Sequence, residues 1–386
     1  MLRVGVGLST ERDSARAAAE AAAVALRSGG LERADCLLVF ATTPHGPGFT
    51  RVTRTAGEVC GTRQIVGCSA AGVLAGEQEV EGGPGVAVLA IQGDLVARRF
   101  FVPIAGRGGE ALADDIAEAV GQVTGPEPLL FLFADSYHLQ ADPLLRALAR
   151  RLPGVRVFGG GASEDGSVGG TSVFAGDTAS SDAVAGALVS GDLAATVGVA
   201  HAVRRVGPVS RVTRLRDGWV LELDGRRAYD ALAAIVPASL LEDPQRAAAV
   251  VLAGVPVGDG EFVVRHLAGI DALQGSVAVA APLSLGDELF FGVRDPHSAR
   301  NDLERVLVRQ RQAWEKRPAA GALYVNCVAR GRALYGVPGL DTAYIRQQLG
   351  PLPVAGFFSG AEFAPGGAAP RLHQYTGVLA VLGPGR

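Results

Sequence analysis

The feature that most constrains this chain is a pattern of short apolar runs that occurs three times. Each run follows a segment with helical character and is itself followed by a second, shorter helical segment. Runs of this length and hydrophobicity are typical of strands that are covered on both faces of a sheet. The three runs are Cys36–Ala41, Leu129–Phe133 and Ala322–Cys327.

The spacing within the pattern is nearly constant. A second short strand follows each run and reaches a glycine after 31, 30 and 34 residues, at Gly67, Gly159 and Gly356. An antiparallel strand and a turn then close each unit. A further segment, from about Arg205 to Gly292, closes on a similar turn but begins with strands at Val209–Arg214 and Trp219–Leu223, so its match to the others is weak.

This order of elements predicts the fold class. Crossover helices beside buried strands favour parallel pairing, and the closing strands favour antiparallel edges. We therefore expect an α/β fold of mixed α+β character, with repeated helix–strand–helix–strand units, mixed sheets and two internally duplicated halves. The best boundary between the halves lies near Arg204–Asp230.

Composition excludes several classes of protein. The chain has 386 residues, 48% hydrophobic, and 53 Gly with 21 Pro, a share below that of disordered chains. With 36 Lys+Arg against 39 Asp+Glu and no basic block, nucleic-acid binding is not expected. The start lacks a signal peptide and no apolar stretch is long enough for a membrane helix, which predicts a cytoplasmic protein without membrane attachment.

Cofactor and metal motifs are missing from the sequence. The glycine clusters at the strand ends match neither the P-loop nor the dinucleotide fingerprint, so no nucleotide cofactor is expected. The four cysteines and six histidines show no ligand spacing, so no metal site is expected either. The glycine turns have two interpretations. Their exposed backbone N–H groups could bind an anion, or the glycines could serve only to allow tight turns and close packing.

The densest polar concentration lies in the last unit, where three strand ends should meet at one sheet edge. Arg330 could bind a carboxylate and Glu362 an amine. The competing interpretation is a structural Arg330–Glu362 ion pair, with His373 as a sheet-edge residue. The candidate ligand-binding residues here are Asn326, Cys327, Arg330, Ser359, Glu362, His373 and Tyr375.

The first half contributes candidates at its own strand ends. Gly67–Gly72 resembles the nucleophile elbow G-x-S-x-G, but position 71 is Ala and no helix follows. Cys68 and Cys327 are alternative nucleophiles, with His373 as base, although a small core cysteine is the simpler interpretation of each. The ligand-binding candidates from this half are Cys68, Ser69, Gly160 and Ser163.

Six segments, in order and spacing, together resemble the FIST family (F-box and intracellular signal transduction proteins). Segments of an N-terminal module are Ile65–Gly72, Val157–Asp165 with Thr171–Phe174, and Val199–His201 leading to Gly207-Pro208. Segments of a C-terminal module are Tyr324–Gly331, Ala355–Glu362 and Leu372–Thr376.

The resemblance implies two modules, residues 1–210 and 211–386, and a sensory role. It implies a small-molecule ligand, an amino acid or another carboxylate, and a separate signalling partner protein, because no output segment is recognisable in the chain. The alternative function is an enzyme with Cys327 or Cys68 as nucleophile. The family supplies no catalytic residues, so the sequence favours binding over catalysis.

Overall fold

The computed structural model describes residues 1–258, 260–366 and 369–385. Two compact units are present: one joins Met1–Ala200 to Asp302–Arg386, and the other is His201–Asn301. The second unit contains the segment whose internal match was weakest. The predicted division into modules 1–210 and 211–386 is a division of the sequence rather than of these compact units, and it stays a prediction.

The first unit is built from three repeats of one order of elements, as the spacing predicts. The first repeat consists of β1 (Arg3–Ser9), α1 (Ser14–Gly29), β2 (Cys36–Thr42), α2 (Phe49–Cys60), β3 (Ile65–Ala70), β4 (Gly72–Ala75), β5 (Gln78–Glu81) and β6 (Val86–Gln92). The second consists of β7 (Leu95–Pro103), α3 (Gly109–Val120), β8 (Leu129–Ala134), α4 (Ala141–Arg151), β9 (Arg156–Gly161), β10 (Val173–Ala175), β11 (Thr178–Ser180) and β12 (Ala183–Gly191).

The third repeat is interrupted after its first strand, β13 (Ala194–His201). The intervening elements are β14 (Val203–Arg205), β15 (Ser210–Arg216), β16 (Trp219–Leu223), β17 (Arg226–Arg227), α5 (Ala228–Ala233), α6 (Ala238–Leu241), α7 (Pro244–Val250), β18 (Val251–Gly258), β19 (Glu261–Asp271), β20 (Ser276–Val279) and β21 (Glu288–Arg294). The repeat resumes with α8 (Pro296–Ala313), β22 (Gly321–Cys327), α9 (Arg332–Tyr335), α10 (Leu340–Leu349), β23 (Val354–Ser359), β24 (Ala361–Gly366), β25 (Ala369–His373) and β26 (Thr376–Gly383).

Helix ends follow local chemistry. Asp13 caps α1 by accepting a hydrogen bond from the backbone N–H of Arg16 at 2.9 Å, and Gly30 closes the helix in the left-handed region. Five buried alanines of α1 face the sheet, which lets helix and strand approach closely. The predicted helix and buried strands of each repeat are confirmed.

The three repeats exchange hairpins in a cycle. Their six-stranded sheets have the orders β1-β6-β2-β3-β10-β11, β25-β24-β9-β8-β12-β7 and β13-β26-β22-β23-β4-β5. In each sheet the two central strands are parallel, and two strands at one edge are the β-hairpin of another repeat: β10 and β11, β24 and β25, or β4 and β5. Every repeat therefore completes the sheet of a neighbour, and the predicted mixed sheets are confirmed.

The three glycines that the short strands reach lie inside β3, β9 and β23, and all three are required by the same close packing. A Cβ at Gly67, Gly159 or Gly356 would lie 1.7, 1.9 or 1.8 Å from the carbonyl oxygen of the neighbouring parallel strand. Only a hydrogen fits there. Three backbone N–H groups beside these strands, those of Ala162, Ser163 and Gly360, already donate to backbone carbonyls. They are not available to bind an anion, so the anion-cradle interpretation is wrong for them.

A common core lies between the three sheets. Alternate residues of each strand face it, and helices cover the opposite faces. Phe40 stacks on Phe357 with centroids 4.5 Å apart, and Phe133 contacts both edge-on. One phenylalanine comes from each repeat, so the centre of the core belongs to all three.

The second unit is an antiparallel sheet that closes on itself. Its strand path runs from β21 through β15, β16, β20 and β19 to β18, and β18 pairs with β21 again. An apolar core fills it, including Val212, Val251 and Phe291. Over the described ranges of the chain, no helix combines the length and the hydrophobicity that a membrane span requires.

Candidate functional site

The predicted residues of the third repeat lie at or beside the ends of β22, β23 and β25 and at the start of β24, and they are divided between the helix-covered side and the core side of the sheets. Tyr324 packs in the layer under the helices, whereas Val325 packs in the central core. Because side chains alternate along a strand, Asn326 belongs to the helix side and Cys327 to the core side. The sequence grouped these two residues in one cluster, and that grouping is wrong.

On the helix side, Arg330 is part of a closed network, which we call the Arg330 cluster (Tyr324, Arg330, Tyr335 and Asp341). The Arg330 guanidinium is fully buried and donates from Nε and Nη2 to the two carboxylate oxygens of Asp341, each at 3.1 Å. Tyr324 and Tyr335 both donate to the same carboxylate at 2.9 Å. Burial by itself would lower the pKa of Arg330, and Asp341 more than compensates.

This geometry corrects two expectations. The Arg330–Glu362 ion pair is wrong, because the partner of Arg330 is Asp341. The guanidinium fork that could have bound a ligand carboxylate is already occupied. Asp341 lies in the first turn of α10 and gave no signal in the sequence beyond the general need of a buried arginine for an acid.

On the core side, Glu362 is the centre of a second group, the Glu362 cluster (Cys327, Glu362, His373 and Thr376). Glu362 is fully buried, and its Oε2 accepts hydrogen bonds from the Thr376 hydroxyl at 2.7 Å and backbone N–H at 3.3 Å. His373 pairs directly opposite Glu362 on the neighbouring strand, so both side chains project to the same face.

The other carboxyl oxygen of Glu362, Oε1, has no nitrogen or oxygen donor within hydrogen-bond distance in the described part of the chain. The weakly donating Cys327 thiol is the group that interacts with the carboxyl. Burial raises the pKa of Glu362 to about 8, against the opposing effect of the Thr376 hydrogen bonds. At neutral pH the protonated carboxyl therefore predominates in the ligand-free protein.

Both candidate nucleophiles are poorly suited to attack. Burial raises the pKa of the Cys68 thiol well above its ordinary value, and Cys68 packs in the central core. Burial and the charge of Glu362 raise the pKa of Cys327, while the backbone N–H of Tyr375 opposes that rise. A reactive thiol needs the opposite shift, so the geometry favours core cysteines.

The serines act as connections between repeats. Ser69 donates to the Ser163 carbonyl at 3.1 Å and accepts from the Ser172 N–H at 3.0 Å. Ser163 accepts from the N–H of Ala71 at 2.9 Å and donates to the carbonyl of Phe358.

Two further candidates also lie where strands from different repeats meet. Ser359 donates to the Gly161 carbonyl at 2.9 Å. Gly160 has no room for a side chain, since a Cβ there would lie 2.5 Å from Ser359 Oγ.

Asn326 and Tyr375 are unusual in different ways. The Asn326 side chain is fully buried, and neither amide atom has a hydrogen-bond partner among the described residues. Tyr375 has a left-handed φ of 59°, as does Asp182 (φ 52°) at the matching turn of the second repeat. The turn geometry is thus shared by the second and third repeats, whereas the unpartnered amide is a property of this one position.

Comparison with known proteins fixes the family. The FIST N domain matches residues 35–226 and the FIST C domain matches residues 228–365. The chain belongs to the FIST family. FIST domains are sensory domains of signal transduction.

Relatives of this FIST protein extend over the same length. It is 30% identical to the uncharacterized protein Rv0628c of Mycobacterium tuberculosis over 99% of this chain and 100% of that one. It is 29% identical to the uncharacterized protein Mb0898c of Mycobacterium bovis over 99% of each. The crystal structure of cyanuic acid hydrolase from A. caulinodans matches 49% of this chain and 70% of that one, with 11% identity and a TM-score of 0.26, from which no inference follows.

Proposed function

We propose that this FIST protein is the cytoplasmic input module of a signalling system, and that it binds a small metabolite carrying an amine, such as an amino acid. The family supports the sensory role, and the Glu362 cluster supports the ligand class. A separate protein partner would receive the signal.

The observation that carries the proposal is the incomplete bonding of Glu362. A buried carboxyl with one oxygen lacking an N–H or O–H donor is costly, because it has lost water without regaining a full set of hydrogen bonds. A ligand ammonium group would donate to Oε1 and would favour the ionised form. Cys327, Ser359 and Tyr375 would border the ligand, and His373 is the neighbouring group that can carry a positive charge toward a ligand carboxylate.

Binding of this kind is coupled to a proton. Because the pKa of Glu362 is about 8 in the free protein, Glu362 is mostly protonated at pH 7. An ammonium ligand would lower that pKa, so binding should release up to about one proton. Calorimetry in two buffers of different ionisation enthalpy measures this release directly.

The first experiment is native mass spectrometry of the purified protein, followed by a thermal-shift screen. The panel contains amino acids, the corresponding amines without the carboxylate, and the corresponding acids without the amine. A ligand at 100 times its dissociation constant stabilises the fold by about 2.7 kcal/mol, which corresponds to several degrees in Tm. We expect shifts with amino acids and amines, and none with the acids.

A matched pair of variants locates the response. Glu362→Gln removes the charge that the ligand needs, whereas Glu118→Gln makes the same change at an exposed helix position. We expect the first variant to lose the shift and the second to keep it. Equal shifts in both variants would contradict the site, and no shift across the panel would contradict the ligand class.

A further inference from the structure

A second site is suggested by a comparison between two equivalent junctions of the first unit. At each junction, the tip of the hairpin of one repeat lies near the second helix of a neighbouring repeat. Residues 367 and 368, between β24 and β25, lie outside the described residues, so two junctions can be compared. One involves Gly76-Glu77 and α10, and the other involves Gly176-Asp177 and α2.

The first junction is closed by an ion pair. Glu77 at the hairpin tip accepts from Arg346 Nε of α10 at 3.0 Å. The two helices can be aligned by the hydrogen bond that closes each of them. In α10 the N–H of the final Gly350 donates to the carbonyl of Arg346, and in α2 the N–H of the final Gly61 donates to the carbonyl of Gly57. Gly57 is therefore the equivalent of Arg346. A side chain at Gly57 is disfavoured, because a Cβ there would lie 2.8 Å from the backbone carbonyl oxygen of Thr62.

The second junction is therefore open. A cavity of about 440 Å³ lies there, and three arginines line it: Arg54 of α2, Arg63 after α2, and Arg99 of β7. None of their guanidinium groups makes an ion pair or hydrogen bond with another residue in the described ranges. The acidic residues that line the cavity, Glu58 and Asp177, are likewise without an ion pair among the described residues.

One of these arginines is held in place by packing. Gly176 has a left-handed φ of 58°, and a Cβ there would lie 2.8 Å from Arg99 Cζ, so the guanidinium covers the glycine backbone. The backbone N–H of Arg99 also donates to Gln64 Oε1 at 3.1 Å, which fixes the start of the side chain. The Arg99 charge is thus positioned at the cavity before any ligand arrives.

We propose that this cavity, the Arg99 cavity, binds a small molecule carrying a phosphoryl dianion. Three positive against two negative groups leave a net charge of +1, and guanidinium forks match phosphate oxygens in pairs. The C-terminal end of α2 carries partial negative charge on its last carbonyls, which is unfavourable for an anion. The carbonyls of Gly57 and Cys60 already accept the N–H groups of Thr62 and Ala34, and this reduces the repulsion. The volume suits a small metabolite rather than a polymer.

The test uses inorganic phosphate, titrated calorimetrically into the full chain at pH 8 and low salt. Arg63→Gln and Arg99→Gln should each weaken binding by about tenfold, since each removes a charge-assisted hydrogen bond. Glu58→Gln should tighten binding by about threefold, because it removes a repelling charge. Arg146→Gln, an exposed arginine of α4, should leave binding unchanged.

The outcomes separate the sources of binding. Competition by sulfate and by a small phosphate monoester, but not by chloride at equal ionic strength, supports the proposal. Equal affinities for the wild type, Arg63→Gln and Arg99→Gln would overturn it, and so would a response that chloride reproduces. Binding of an acidic polypeptide without any phosphate binding would also overturn it. Circular dichroism of each variant identifies any loss of fold.

Discussion

The third repeat contains two buried polar clusters, and they differ in how completely they are bonded. In the Arg330 cluster, both oxygens of Asp341 accept bonds from Arg330 and two tyrosines. In the Glu362 cluster, one carboxyl oxygen is left without a nitrogen or oxygen donor within the described ranges. A completed network maintains structure, whereas an incomplete one is where a ligand would gain most.

The largest expected effect is on the completed cluster. Asp341→Ala would leave the Arg330 charge buried without a counter-ion, and we expect a loss of about 3–5 kcal/mol in the free energy of unfolding. Asp114→Ala, which breaks the exposed pair with Arg151, should change the free energy of unfolding far less, because solvent screens that pair. Chemical denaturation measures both, and similar costs would contradict the structural role of the Arg330 cluster.

The next effect concerns the incomplete cluster and depends on pH. The pKa of Glu362 is about 8 in the folded state against an ordinary value of 4.5. Between these values the unfolded chain loses the proton and the folded protein keeps it, so stability falls as pH rises by roughly 1.4 kcal/mol per unit. Glu362→Gln stays neutral, and its Tm relative to wild type should rise from pH 5 to pH 8.

The exposed control Glu118→Gln should show a constant difference from wild type over the same pH range. A constant difference for Glu362→Gln as well would mean that Glu362 ionises normally in the folded protein. The distinction between the two clusters would then be lost.

A smaller effect is expected at Asn326. Asn326 is equivalent to Ala41 in the first repeat and Ala134 in the second. Each of the three lies two residues after the strand residue that pairs with the buried glycine of the neighbouring parallel strand. Asn326→Ala copies those repeats and removes a buried amide without partners, so we expect a change within about 1 kcal/mol, neutral or stabilising. A loss above about 2 kcal/mol in the ligand-free protein would show that the amide is bonded in solution.

The smallest effect concerns thiol reactivity. Burial raises the pKa of Cys68 and Cys327, so alkylation of the folded protein should be slow up to pH 9, and His373→Ala should not change it. Mass spectrometry after iodoacetamide treatment identifies the modified residue. Rapid alkylation of Cys327 that is lost in His373→Ala would favour the enzyme over the binding module.

Local signals were sufficient for the elements but not for their contacts. The apolar runs fixed β2, β8 and β22 to within about a residue, because a buried strand needs a continuous apolar segment. Adjacent residues of a strand face opposite sides of the sheet, so the sequence already implied that Asn326 and Cys327 point away from each other. Placing both in one candidate site overlooked this alternation. The partner of Arg330 could not be found in this way, since several acids were within reach.

The sequence by itself determined the repeat, the α/β class and the family, because hydrophobic period and spacing are local and recur three times. Only the tertiary structure decided that the repeats exchange hairpins, that Arg330 binds Asp341 and that Glu362 is left incompletely bonded. Those facts depend on which strand ends meet in space. They are set by cyclic pairing between segments far apart in the chain, where local patterns carry no information.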